Sequence, residues 1–256
     1  MPKLDQHFLE NEEVSSLFAA LADIKEEDSL IELGPGKGAL TKRLLEKNPA
    51  SFVVLEQDKD LAQELSDKYP TLQVLCGNGL TFLQEENLHC TKLVSAIPYS
   101  LTEPLYALVL DKKIPFCLFL QGRNFYKNHL CNEKSKWFHF VRASYDIEEK
   151  AIVKGNSFSP PTKVSSSLLT LKLKPEQSTN EKFLAELFSR RKRSCLNALL
   201  FSLVETLKIS KKEAKKIITD LNLPPKIISK KLAAFSNEEF FTLKEKIPPL
   251  ETENNK

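Results

Sequence analysis

Glycine is scarce in this chain, 7 residues of 256, and tryptophan and methionine occur once each. There is no low-complexity tract and no internal repeat, so a solenoid or repeat array is excluded. No apolar run approaches the roughly 18 residues that a membrane span requires. The opening stretch from Met1 to Glu13 is too polar and acidic for a signal peptide. A cytoplasmic protein without a membrane partner is the expectation. The five cysteines, Cys76, Cys90, Cys117, Cys131 and Cys195, are odd in number and widely scattered. They suit neither a disulfide framework nor a metal set and read as buried thiols. The four histidines form no HxH or HxxxH pair, so no metal is expected. Hydrophobic residues at 41% and charged residues at 28% exclude a disordered chain. A length of 256 residues accommodates one large domain with a small companion.

Charge is informative once divided along the chain. The net charge is +3, yet residues 178–256 hold 16 Lys and Arg against 10 Asp and Glu. Within 190–231 the ratio is 12 basic to 3 acidic, beginning at Arg190, Arg191, Lys192 and Arg193 and continuing through Lys211, Lys212, Lys215 and Lys216. Such a segment can hold a nucleic-acid backbone, and it can equally be a solvated lysine-rich helix face.

The first 175 residues alternate short apolar runs with helical stretches. Ser29–Leu33, Phe52–Glu56, Leu72–Cys76, Lys92–Ala96 and Pro115–Leu120 read as strands, and the alternation implies a parallel sheet built from βαβ units. Leu40–Leu45 and Leu61–Leu65 have helical spacing, and Thr102 is placed to cap a helix running through Leu105, Leu108 and Val109. Phe138–Ile152 and Ser167–Leu173 are expected as antiparallel additions at a sheet edge. A polar stretch from Lys174 to Thr179 reads as a linker, and the chain beyond it, with Leu196, Leu199, Leu200, Leu203 and Leu207 in one stripe, as all-helical.

Three of the seven glycines, Gly34, Gly36 and Gly38, follow the first strand directly and lead into a helix. Without Cβ atoms the backbone there can approach a ligand at the carboxyl ends of the strands. Glu56 ends the second strand, 22 residues beyond Gly34, where a carboxylate can accept from ribose hydroxyls. A nucleoside cofactor is implied. The spacing is GxGxG, which with the absence of a dehydrogenase constellation argues against a nicotinamide enzyme. Ala96, Ile97, Pro98 and Tyr99 lie at the same edge, where a stiffened turn and an aromatic suit a flat ligand. A capped strand end with a core tyrosine is the alternative.

Gln6-His7-Phe8-Leu9, the run Glu32 to Thr41, Glu56, Gly77-Asn78, Ile97-Pro98-Tyr99, the loop Phe158 to Val164 and the segment Ser189 to Arg193 stand in an order that resembles the ribosomal RNA adenine dimethylases. The small-subunit dimethyladenosine transferases resemble it more than the macrolide-resistance enzymes that act on large-subunit RNA. The resemblance implies a class I methyltransferase (Rossmann-like) α/β fold, with a mostly parallel seven-stranded sheet and a small C-terminal all-helical domain. Residues 1–175 would bind S-adenosylmethionine and 180–250 would bind RNA. It further implies transfer of methyl groups to N6 of adenines in small-subunit rRNA, on the assembling small subunit, by a monomer. By family position His7, Leu9, Gly34, Gly36, Gly38, Glu56 and Asn78 would hold the cofactor. Ala96, Ile97, Pro98 and Tyr99 would face the target base, and Lys163, Arg190, Arg191, Lys192 and Arg193 would contact RNA. Phe125, Tyr126, Trp137 and Phe138 could add stacking surface or belong to the core.

Methyl transfer from a sulfonium needs neither metal nor strong base, so positioning carries the chemistry. The adenine amino group must be hydrogen-bonded so that its lone pair can localise. The family supplies an Asn acceptor where this chain has Ala96, and an Asp where it has Asn78, whose amide oxygen can still accept. Thr162, Ser165 and the segment Gln121-Gly122-Arg123 also depart from the family pattern. These departures leave a second reading, an RNA-binding assembly factor that retains the fold with little or no catalysis.

Overall fold

The computed structural model describes residues 7–85 and 89–250. Two compact units divide the chain: one runs to Tyr126 and includes Asp146–Leu173, and the other comprises Lys127–Tyr145 and everything from Lys174 onward. In chain order the elements up to Leu173 are β1 (Phe8–Leu9), α1 (Glu12–Ala22), β2 (Ser29–Leu33), α2 (Ala39–Leu45), β3 (Ser51–Glu56), α3 (Lys59–Lys68), β4 (Gln73–Cys76), α4 (Gly79–Glu85), β5 (Lys92–Ala96), α5 (Thr102–Lys112), β6 (Phe116–Gly122), α6 (Arg123–Phe125), α7 (Lys136–Ser144), β7 (Tyr145–Val153), β8 (Phe158–Ser159) and β9 (Ser166–Leu173).

Seven strands form one sheet in the order β4-β3-β2-β5-β6-β9-β7. Parallel pairing joins β4 through β6, and β9 runs antiparallel to β6 with Phe116 opposite Lys172 and Gly122 opposite Ser166. This is the mostly parallel seven-stranded sheet that the resemblance implies. The near-continuous apolar strands follow from coverage on both faces. Leu30, Val54, Val94, Leu118, Leu120 and Leu168 pack with Phe18 and Ala22 of α1 and with Leu40 and Leu44 of α2. The alternate residues Ile31, Val53, Leu55, Leu93, Phe119 and Leu171 are buried as well. A separate two-stranded pair, β1 with β8, sets Phe8 opposite Ser159 and Leu9 opposite Phe158.

Three sequence expectations need correction here. Phe138–Ile152 is not one edge strand: its first part lies in α7 and only Tyr145 onward is strand. Ser135 caps α7 by accepting from Trp137 N, and Trp137, Phe140, Val141 and Ser144 are buried at helical spacing, whereas β7 alternates along its length. The helix therefore joins the helical unit, which the boundary drawn at 175 had omitted. Thr102 does not cap α5 either; Leu101 holds the cap position and makes no side-chain capping bond. The thiols are also not uniformly buried, since Cys76 and Cys131 are exposed.

The second unit continues with α8 (Thr179–Ser189), α9 (Cys195–Leu207), α10 (Lys211–Asp220), α11 (Pro225–Ser229) and α12 (Asn237–Lys246). Three of these helices start with the same device. Ser178 with Glu181, Ser210 with Glu213 and Ser236 with Glu239 form reciprocal capping boxes that satisfy first-turn amides. An aromatic cluster closes the unit's core: Phe140 lies 5.0 Å from Phe188 and 4.9 Å from Phe240, and Trp137 lies 5.9 Å from Phe188. Trp137 is thus a core residue. Replacing Phe140 with alanine removes the ring that joins α7 to α8 and α12. Denaturant unfolding is expected to show a loss of about 3 kcal/mol, against well under 1 kcal/mol for Lys134→Ala, an exposed position just before the helix.

Candidate active site at the carboxyl ends of the parallel strands

The register that builds the sheet also levels its carboxyl edge. Leu33 stands opposite Leu55 and Ser95, Glu56 opposite Cys76, and Ala96 opposite Leu120. The loops after β2, β3, β4 and β5 therefore leave from one edge, the usual ligand position in such sheets.

The glycine loop begins where Gly34 N donates to Leu55 O at 2.9 Å. Gly34 has φ +69° and nothing within 4 Å of where a Cβ would stand, so this turn faces open space. Gly36, at φ +56°, would drive a Cβ to 2.8 Å from the Phe8 ring. Both positions hold a left-handed backbone that glycine adopts at low cost, and at Gly36 a Cβ would also meet the Phe8 ring. Gly38 occupies the N-cap of α2.

Glu56 is 6% exposed and its carboxylate is turned onto this loop. Oε2 accepts from Gly36 N at 3.0 Å and Oε1 from Asp58 N at 2.9 Å. Each oxygen keeps lone-pair capacity for a further donor. A cradle open at Gly34 beside a fixed carboxylate fits a nucleoside with a vicinal diol, and so fits S-adenosylmethionine.

The N-terminal segment reaches the same loop. His7 Nδ1 lies 2.7 Å from the Pro160 carbonyl, a bond in which the ring nitrogen donates. Leu9 is buried with its side chain in the sheet's core cluster. Phe8, its neighbour, is the residue against the glycine loop, and the Lys37 ammonium sits 5.0 Å above its ring. Strand alternation turns one of the pair inward and the other onto the loop. Gln6 lies outside the described residues.

Asn78 departs from the expected role. Its Oδ1 accepts from Leu80 N at 3.0 Å and Thr81 N at 3.3 Å, so the oxygen expected to receive a cofactor proton is committed to the start of α4. At the next strand end, Ile97 N donates to Leu120 O at 2.8 Å and Leu101 N donates to Pro98 O at 2.9 Å, which fixes the turn carrying Pro98. Pro98 is exposed and Ala96 half-buried against the core cluster. Tyr99 opens a single 3-10 turn, and its side chain lies outside the described residues. The adjacent Ser95 is buried with its hydroxyl donating to Leu33 O at 2.8 Å, on the opposite sheet face from Ala96. It cannot stand in for a missing acceptor. The segment after β6 lacks its own acid, but Arg123 Nε donates to Glu149 Oε1 from β7 at 3.2 Å.

One residue the sequence offered only as a motif letter is Glu32. It is 1% exposed directly beneath the loop, with Thr41 Oγ1 donating to Oε2 at 2.7 Å. Burial pushes its carboxyl up to about 8, against the pull of the Thr41 bond and with a contribution from the Glu56 charge. Only the tertiary structure shows this, because β2 reads as an ordinary strand.

The basic candidates lie on exposed segments of their own units. Lys163 is exposed on the loop after β8. In the helical unit Arg190 is paired with Glu186, and Arg191 donates to Phe188 O at 3.2 Å with its guanidinium 4.1 Å from the Phe188 ring. Lys192 is exposed. Arg193 and Lys211 both stack on Phe201, at 5.0 Å and 5.6 Å, so one ring joins this segment to α10. Along α10, Lys212, Lys215 and Lys216 are exposed opposite buried Ala214 and Ile218. Among the described residues no group of three or more His, Cys, Asp or Glu side chains is gathered as for a metal ion, and no helix is long and apolar enough to cross a membrane.

Residues 1–235 match the family described as Ribosomal RNA adenine dimethylase. The chain belongs to the ribosomal RNA adenine dimethylase family. It is 28% identical over 251 residues to the ribosomal RNA small subunit methyltransferase A of Hydrogenobaculum sp., spanning 93% of this chain and 94% of that protein. It is 32% identical over 227 residues to the protein of the same name from Prochlorococcus marinus, spanning 77% of this chain and 81% of the relative. A dimethyladenosine transferase from Plasmodium falciparum shares the fold with a TM-score of 0.62 at 20% identity, covering 94% of this chain and 98% of that one. The 23S rRNA methyltransferase ErmE gives the same TM-score of 0.62 at 20% identity, over 93% and 98%. Methyl transfer from S-adenosylmethionine is the chemistry of the family, and relatives carrying the methyltransferase name do not favour the reading as a non-catalytic assembly factor.

The raised Glu32 carboxyl gives a signed stability prediction. A protonated carboxyl in the folded state against an ordinary one in the unfolded state stabilises the protein at low pH and ceases to do so as pH rises through the folded value. The contribution should be complete below the unfolded value of 4.5 and gone above about 8. Melting temperature is expected to fall across this window, more steeply in the wild type than in Glu32→Gln; equal slopes would contradict a buried neutral carboxyl.

Proposed function

We propose that the chain transfers methyl groups from S-adenosylmethionine to N6 of adenines in small-subunit rRNA, acting in the cytoplasm as a monomer on the assembling small ribosomal subunit. The observation that carries this reading is the Glu56 carboxylate, turned onto the glycine loop between level strand ends. Relatives named for small-subunit rRNA methylation support the choice of substrate.

S-adenosylmethionine supplies a methyl group on a sulfonium, with a neutral thioether as leaving group. The protein's part is to bind, orient and prepare the nucleophile. Glu56 accepts from the ribose hydroxyls, and the open side of Gly34 admits the methionine portion. His7 and Phe8 close the loop from the N-terminal segment. The turn Ala96-Ile97-Pro98 offers backbone carbonyls to the protons of the adenine amino group, so that its lone pair turns to the methyl carbon. Tyr99 faces the base. The target adenine must lie unstacked or in a loop to enter, as RNA loops allow. Lys163, Arg190, Arg191, Lys192 and Arg193 hold phosphates. The first unit is the cofactor-binding domain and the helical unit the RNA-binding domain.

Incubating the purified protein with immature small subunits and methyl-labelled cofactor should yield N6,N6-dimethyladenine in the small-subunit RNA, and labelling of another base or of none would sink the proposal. Glu56→Ala removes the anchor of Gly36 as well as the ribose contact. Calorimetry should register a loss of about tenfold or more in cofactor affinity, the scale of one bond to a charged acceptor. Ala96→Asn restores a side-chain acceptor at the end of β5. The methylation rate is expected to rise by about tenfold or more, given that single preorganised contacts are worth roughly 10² to 10³ in rate.

A further inference from the structure

We infer that Asn78 presents an amide donor to the nucleobase of the bound methyl donor, so that this chain recognises the base through a ring-nitrogen lone pair and not through its exocyclic amine. The inference rests on the cofactor reading above and concerns the polarity of a single contact within it.

Placement comes from the backbone. Gly77 N donates to Glu56 O at 2.8 Å, and Cys76 stands opposite Glu56 in the β3 and β4 register. Asn78 is an exposed residue two positions past the end of β4, the strand that pairs beside the ribose carboxylate. A base attached to a sugar held at Glu56 has this neighbouring strand end within reach.

Polarity comes from the side chain. Leu80 N and Thr81 N belong to the first turn of α4, where amides have no intrahelical acceptor. Both are satisfied by Asn78 Oδ1, at 3.0 Å and 3.3 Å. A carboxylate at this position could cap the helix with one oxygen and accept from a base with the other. An amide has one oxygen, and here two donors already use it. The Nδ2 group remains, with no protein partner among the described residues. An adenine edge offers an exocyclic amine, which is a donor, beside N1, which is an acceptor. An NH2 group facing the amine sets donor against donor; facing N1 it makes a bond. Turning the amide over would release both first-turn amides of α4, so the cap fixes the orientation.

The wild-type protein suffices for the test. Calorimetry would compare S-adenosylhomocysteine with two analogues, one carrying purine in place of adenine and so lacking the amine, the other carrying 1-deazaadenine and so lacking the N1 lone pair. The amine-free analogue is expected to bind within about twofold of the parent. The 1-deaza analogue should bind about five- to tenfold more weakly, the value of one hydrogen bond. Asn78→Asp should reverse the order, with loss of the amine now costing about tenfold. Dependence on the amine in the wild type, or equal binding of all three ligands, overturns the inference and leaves the cofactor site standing. Failure of S-adenosylhomocysteine itself to bind overturns the cofactor reading and this inference with it.

Discussion

The hydrogen bond from Gly36 N to the Glu56 carboxylate, 3.0 Å long, is the contact on which the site depends. It fastens the turn after β2 to the end of β3, across the parallel ladder that sets Leu33 beside Leu55. A carboxylate acceptor makes this stronger than a neutral bond. The same side chain also accepts from Asp58 N, at the start of α3. Loop, strand end and helix start are thus held by one nearly buried acid. An acid so placed is preorganised to receive a diol without moving.

Beneath this loop a second acid, Glu32, is sequestered with Thr41 as its hydrogen-bonding partner. Two carboxyl groups on adjacent strands, one raised by burial and one accepting from backbone amides, meet the same sheet edge. Both are buried, and their partners differ: the Thr41 hydroxyl bonds Glu32, whereas two backbone amides bond Glu56 at the strand's end.

Basic character in the helical unit is arranged by aromatic rings as much as by sequence. Phe188 carries Arg191, and Phe201 carries both Arg193 and Lys211, so planar guanidinium and ammonium groups are held at the surface over apolar supports. Arg190 is drawn to Glu186 on its own helix. The run of four consecutive basic residues accordingly presents groups of unequal availability, with Lys192 exposed to solvent and Arg190 already paired.

Much of the architecture was legible because strand and helix periods are local properties. The five parallel strands lie within a residue or two of where apolar runs placed them, and the glycine turn with its distant acid marked the ligand edge. The stretch from Phe138 misled because aromatics suit a strand as well as a helix face. Ser135 caps the helix locally, and the rings of Phe188 and Phe240, more than 40 residues of chain away from Phe140, decide for it. The resemblance put Leu9 on the cofactor, whereas the folded chain turns Leu9 into the core cluster and Phe8 onto the glycine loop. By itself the sequence determined the order of elements, the glycine turn, the carboxylate on its strand end and the basic tail, because each is written in spacing and residue type. Tertiary structure alone decided that Asn78 spends its oxygen on a helix, that the Ser95 hydroxyl is bound to Leu33 O, and that burial raises the Glu32 carboxyl. Hydrogen-bond commitment and desolvation depend on which atoms share a face, and only the folded chain settles that.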